Sequence, residues 1–355
     1  MWLLFALGCW DTEPVVRDQC ALARTVRIAT EDGATVALHH HAARGAPVVM
    51  VHGISSNHRF FDLDADHSMA DWLADRGHDV WLLDLRGHGD ARTHLDGRPQ
   101  LSGWRVDDYG RYDMKAAVDH VRACTGYETV GFVGHSMGGM VGSIYAVSGG
   151  ASALSSVVYL GSPGTFSREA PLAKLAQTGL ATGGAALVSL DSALFGSVAA
   201  DLNRGPFRLR VQEQLYNPAN YEPATIDAVL RTIASPMSRG EMAHFARMLE
   251  RERFTSWDGS VDYLDALGSV SVPAFLVAGT ADRVVPTAWV EAYVDAFSGP
   301  VEVFRAGTET GLVADYGHLD FALGERADHE IFPRVAAWLD RFPPRPGPAR
   351  RAAER

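Results

Sequence analysis

One short string constrains this chain more than any other. Gly134-His135-Ser136-Met137-Gly138-Gly139 follows directly on the apolar run 129–133 and leads into a helical stretch. A G-x-S-x-G string in that setting demands a sharp turn from strand to helix, with the serine in strained backbone and glycines beside it to avoid clashes. Such a turn lifts the serine hydroxyl above the end of a sheet. It calls for strands alternating with helices and makes Ser136 the candidate nucleophile.

The remaining pattern meets that demand. Residues 24–30 and 34–41, split by the turn-like Glu31-Asp32-Gly33, predict an opening hairpin. Short apolar runs at 47–51, 79–83, 129–133, 156–160, 274–278 and 301–305 suit strands buried on both faces, which gives a mostly parallel eight-stranded sheet. Helical patterns at 68–76, 106–124, 287–297 and 328–342 supply cover for both faces. Residues 163–267 carry no convincing buried strand but include amphipathic pieces at 223–233 and 240–251. They predict a helical cap inserted after strand six, between core segments 25–162 and 268–342. Residues 343–355 lack apolar periodicity and read as a frayed tail.

Composition excludes some partners. Of 355 residues, 47% are hydrophobic and 21% charged, a globular profile. The net charge of −11, with no basic cluster before the far C-terminus, excludes a nucleic-acid face. The apolar run 2–8 is too short to span a bilayer and ends at Cys9. Ala6-Leu7-Gly8-Cys9 resembles a bacterial lipobox, although no basic residue precedes it. That reading implies a lipidated Cys9, membrane association and a cell-envelope location. The alternative is an apolar flap on a cytoplasmic protein.

Export would leave Cys20 and Cys124 as a candidate disulfide; the alternative is two separate reduced thiols. No Cys/His spacing suggests a metal. In His39-His40-His41, strand alternation turns the middle residue away from the other two, so the run is not read as a ligand cluster.

A serine hydroxyl needs a general base within hydrogen-bond reach, and that base needs an orienting carboxylate. The chain order for this turn is serine, acid, histidine. Asp282 lies just past the buried run 274–278, on a loop at a strand's C-terminal end, and is the candidate acid. His318 follows the last strand and is the candidate base; Asp315 and Asp320 are competing acids. The oxyanion requires two backbone donors, assigned to the amides of Ile54, after His52-Gly53, and Met137. His52 and His88 are read as loop-bracing residues.

With these residues placed, the chain resembles the acid lipases of the gastric and lysosomal type, within the wider α/β-hydrolase esterases. The likeness is carried by Thr30-Glu31-Asp32-Gly33, His52-Gly53-Ile54, the segment 73–82, Arg86-Gly87, Tyr112-Asp113-Met114, Gly134-His135-Ser136 and His318-Leu319-Asp320-Phe321. Those lipases usually carry Gln where this chain has Met137, and the cap offers no match. The resemblance implies an α/β-hydrolase fold and cofactor-free cleavage of a small-molecule or lipid carboxylic ester through an acyl-enzyme. The same triad also serves amide, lactone or thioester cleavage. A non-catalytic binding protein on this fold is the alternative from another class.

Overall fold

The computed structural model describes residues 24–100, 103–169 and 214–353. Eight strands run in chain order: β1 (Thr25–Ala29), β2 (Thr35–His41), β3 (Pro47–Val51), β4 (Asp79–Asp84), β5 (Val130–His135), β6 (Leu154–Leu160), β7 (Ala274–Gly279) and β8 (Val301–Ala306). They form one sheet in the order β1-β2-β4-β3-β5-β6-β7-β8. β2 is antiparallel to both neighbours and every other pairing is parallel. The β1/β2 turn is closed by Gly33, whose N–H donates to Thr30 O at a φ of 84° that favours glycine.

Period-two alternation sends neighbouring apolar residues to opposite faces of the sheet. Val49, Val51, Trp81 and Leu83 join one core; Val48, Met50, Val80 and Leu82 join the other. Runs of five or six apolar residues are needed here because both faces are covered. The helix Met137–Val147 covers the first face and Phe332–Arg341 the second.

Sequence periodicity misjudged two helical regions and missed a local widening in a third. The stretch predicted at 106–124 is continuous but widens to a π-helical turn over Tyr109–Asp113. There, Gly110 allows the helix to approach Ile144 so closely that a Cβ would lie 2.4 Å from its Cγ2. The pattern at 287–297 yields only Thr287–Glu291 before turns take over. The final helix is split into Ala327–Glu330 and Phe332–Arg341. Pro333 lacks an N–H and fits only the start of a helix, so the break falls just before it.

The segment read as a frayed tail is docked instead. Glu128 N donates to Arg345 O at 2.8 Å and Arg345 N donates to Thr129 Oγ1 at 2.8 Å. Pro348–Ala353 is helical, and the Arg350 guanidinium lies 4.4 Å from the centre of the Tyr127 ring.

Between β6 and β7 the chain leaves the sheet for the segment read as a cap. Its described part contains helices Pro223–Thr232 and Arg239–Arg251. The second begins with a capping box, Ser238 Oγ accepting from Glu241 N while a Glu241 carboxylate oxygen accepts from Ser238 N. Among the described residues, no helix is long and apolar enough to cross a membrane. Cys9 and Cys20 lie outside the described residues, whereas Cys124 is disulfide-bonded.

Candidate active site

Ser136 stands at the junction of β5 and the helix Met137–Val147, with φ 52° and ψ −119°. A non-glycine residue in that region is strained and must be held by its surroundings. The tightness of the turn explains its glycines. A Cβ on Gly134 would lie 2.5 Å from Gly139 N, and one on Gly138 would lie 2.1 Å from Val51 O. Larger residues at either point would push the helix off the sheet.

The structure brings the three predicted side chains together. His318 Nε2 lies 2.9 Å from Ser136 Oγ, and its Nδ1 lies 2.8 Å from Asp282 Oδ2. All three are buried. The other Asp282 oxygen accepts from the amides of Val284 and Val285 at 2.9 and 2.8 Å. Both carboxylate oxygens are therefore satisfied, and the side chain can hold the imidazole in one orientation.

The competing acids are occupied elsewhere. Asp315 Oδ1 accepts from Thr280 Oγ1 and from Thr308 N. Asp320 accepts from Gly317 N at 2.7 Å and from Asn220 Nδ2 at 2.6 Å. It thus ties the loop carrying His318 to the cap, and burial pushes its carboxyl up to about 7. Sequence order could not distinguish this bracing role from that of triad acid.

The helix beginning at Met137 presents amides without intrahelical partners beside Ser136, at the positive end of its dipole. The loop after β3 passes close to the same point, since a Cβ on Gly53 would lie 3.1 Å from Ser136 Cβ. Ile54 follows immediately. His52 braces this loop as expected: its Nδ1 donates to Gly53 O at 2.8 Å and its Nε2 accepts from Leu85 N at 3.3 Å.

The next residue, Ser55, also has positive φ and is paired with the cap in both directions. Its Oγ donates to Ser235 O at 2.8 Å, and Ser235 N donates to Ser55 O at 3.0 Å.

Two further groups escaped sequence reasoning. His135 Nε2 donates to His318 O at 2.9 Å. Glu241, fully buried in the cap, accepts from Tyr109 OH at 3.0 Å, while its Oε1 has no partner. Burial pushes its carboxyl up to about 7 and the nearby His88 imidazole down to about 3. Both signals are tertiary: the sequence shows only a histidine in a turn motif and a glutamate in a helix.

The β1/β2 turn, the loop after β4 and the π-helical turn also converge, at Arg86. Arg86 donates from Nε to Asp113 Oδ1 at 2.7 Å, and from Nη1 and Nη2 to Asp32 at 2.5 and 2.8 Å.

The sheet order and the strand-to-helix turn at Ser136 are those of an α/β hydrolase fold. The chain belongs to the alpha/beta hydrolase fold family, whose model matches residues 46–325. Among its relatives, Lipase 1 of Drosophila melanogaster is 35% identical over 118 residues, 31% of this chain but only 26% of that protein. Lipase member K of Homo sapiens is 23% identical over 351 residues, 89% of this chain and 87% of that protein. An esterase from Thermogutta terrifontis superposes with a TM-score of 0.58 at 19% identity, covering 90% of this chain and 99% of that one.

Proposed function

We propose that the chain hydrolyses carboxylic esters by acyl transfer through Ser136. The observation that carries this reading is the unbroken hydrogen-bonded series Asp282–His318–Ser136. In the first half-reaction Ser136 Oγ attacks the ester carbonyl carbon while His318 Nε2 takes its proton. The oxyanion that forms is held by the amides of Ile54 and Met137. Collapse of the tetrahedral intermediate expels the alcohol, which takes the proton from His318. Water then attacks the acyl-enzyme by the same route, releasing the acid and restoring Ser136.

The lipase relatives support a fatty-acyl or other lipid ester substrate. Labelling by a fluorophosphonate, compared between wild type and Ser136→Ala, tests the chemistry, and an ester panel of increasing acyl length tests the substrate. Labelling that survives Ser136→Ala overturns the assignment.

A cell-envelope location is part of the proposal. The disulfide at Cys124 supports an oxidising compartment. Lipidation at Cys9 is tested by detergent partitioning of Cys9→Ser against wild type, where unchanged partitioning rejects the anchor.

A further inference from the structure

The triple histidine of β2 finds its partners across the sheet. Alternation does turn His40 to the opposite side, where it stacks on Trp81 and pairs with Asp79. His39 faces the other way and meets two residues remote in sequence. Its Nε2 lies 2.9 Å from Asp84 Oδ2, at the end of β4. His58 Nδ1 approaches the same oxygen at 2.9 Å. The two imidazoles stack with ring centres 3.5 Å apart and planes inclined by 21°.

Asp84 is fully buried, and its Oδ2 also accepts from Asp90 N at 2.9 Å, so three donors crowd one carboxylate oxygen. Its Oδ1 accepts from His58 N at 2.7 Å. The Asp90 carboxylate lies 3.8 Å from His39 Nε2.

We infer that His39, His58 and Asp84 form a binding site for a divalent transition-metal ion of the zinc class, with the exposed Asp90 side chain turning in as the fourth ligand. Two imidazoles and two carboxylates are a donor set suited to Zn2+. Ligands about 2.0–2.1 Å from one ion at the tetrahedral angle lie roughly 3.3 Å apart; both imidazole nitrogens stand 2.9 Å from Asp84 Oδ2, and the three ligand atoms lie within 4.8 Å of one another. The outer contacts are in place as well. Thr25 Oγ1 lies 3.2 Å from His39 Nδ1, where it would accept the proton that Nδ1 carries once Nε2 binds the ion, and His58 N holds the second Asp84 oxygen.

Binding would move each imidazole proton from the nitrogen facing Asp84 to the opposite ring nitrogen, which frees a lone pair for the ion and relieves the crowding at Oδ2. Access is from outside: His39 and His58 line a surface groove of about 850 Å3, along with Asp62, Asp71, Arg24 and Arg59. The ion would pin β2, the end of β4 and the loop after β3 to one another. That loop carries Ile54, so the clip would stiffen the frame of the oxyanion donors.

The test is zinc titration of tag-free, metal-stripped full-length protein by calorimetry, with melting curves recorded with and without ZnCl2. One zinc per chain and a raised melting temperature are expected. His58→Gln should weaken binding by at least about tenfold and abolish the thermal gain. Asp90→Asn, at an exposed side chain, should weaken it as well and keeps the test decisive if His58→Gln fails to fold. His41→Gln serves as the control, because His41, Asp62 and Asp71 form a neighbouring group on the same groove. Absence of zinc binding, unchanged affinity in both ligand variants, or a loss confined to His41→Gln would overturn the proposal.

Discussion

The imidazole of His135 holds the backbone of His318. Its Nε2 donates to the His318 carbonyl oxygen at 2.9 Å, and its ring stacks on Phe60 with centres 3.9 Å apart. The residue before Ser136 thus holds the loop whose imidazole reaches Ser136 Oγ, the base in the proposed mechanism. Burial holds the His135 imidazole well below its ordinary range, so it remains neutral and contributes a fixed donor.

Displacement of a catalytic group by about 1 Å can cost roughly a hundredfold in rate. His135→Ala should therefore lower kcat by about ten- to a hundredfold with little change in KM, and slow fluorophosphonate labelling in parallel. His135→Gln, which retains a donor, should recover part of the loss. If kcat stays at the wild-type level in the alanine variant, the hydrogen bond has no positioning role.

Asp282 and Asp315 keep separate partners. Asp282 touches His318, whereas Asp315 is bound to Thr280 and Thr308. Replacing the triad acid by its amide favours the wrong imidazole tautomer and costs about 10^4-fold in kcat in the serine proteases where it has been characterised. Asp282→Asn should show a loss of that order, and Asp315→Asn less than about threefold, both read by steady-state ester hydrolysis. A reversed order would move the triad acid to Asp315.

Glu241 and Asp320 give the fold an unusual dependence on pH. Burial raises both carboxyls to about 7, outweighing the hydrogen bonds from Ser238 and Tyr109 to Glu241 and from Asn220 and Gly317 to Asp320. Between the ordinary carboxyl range and about 7, the folded chain keeps protons that the unfolded chain has released. Stability therefore falls as pH rises through that window. Glu241→Gln removes one of these protons while an amide oxygen can still accept from Ser238 and Tyr109. It should raise the melting temperature by roughly 3–6 °C at pH 8 and leave it nearly unchanged at pH 5. Scanning calorimetry across pH 5–8 checks this, and an equal shift at both ends would contradict it.

These sites mark where sequence reading ends. Ser136, Asp282 and His318 were legible because each is announced by local context: a strand, a turn of fixed chemistry, and an order along the chain. The eight strands were legible because burial on both faces leaves continuous apolar runs. The partners of His39 were not, since His58 and Asp84 reach it only through the pairing of β2 with β4 and the return of the loop after β3. Nor was the raised pKa of Glu241, because desolvation depends on Tyr109 and Trp104 packing over a helix of the cap. The docked C-terminus was hidden for the same reason: the hydrogen bond from Arg345 to Thr129 spans most of the chain.

The hold of residues 232–235 on the loop after β3 yields a last expectation. Asn57 Nδ2 approaches Thr232 O at 3.0 Å, Ile233 O at 3.2 Å and Ser235 Oγ at 3.2 Å, while its Oδ1 accepts from Arg59 N at 2.9 Å. One buried amide thus joins the loop that supplies Ile54 to the end of the helix Pro223–Thr232. Asn57→Ala deprives several buried groups of partners at once, a change that costs about 1–3 kcal/mol. The urea midpoint should fall accordingly with the slope unchanged. Because Ser55 still pairs with Ser235 through the backbone, the loop stays attached, and kcat should fall by no more than about tenfold. Ser235→Ala loses only one of the three contacts and should cost less than Asn57→Ala. If the serine variant proves the more damaging, the tether runs through the Ser235 hydroxyl, which also accepts from Gly89 N at 3.3 Å, and not through Asn57.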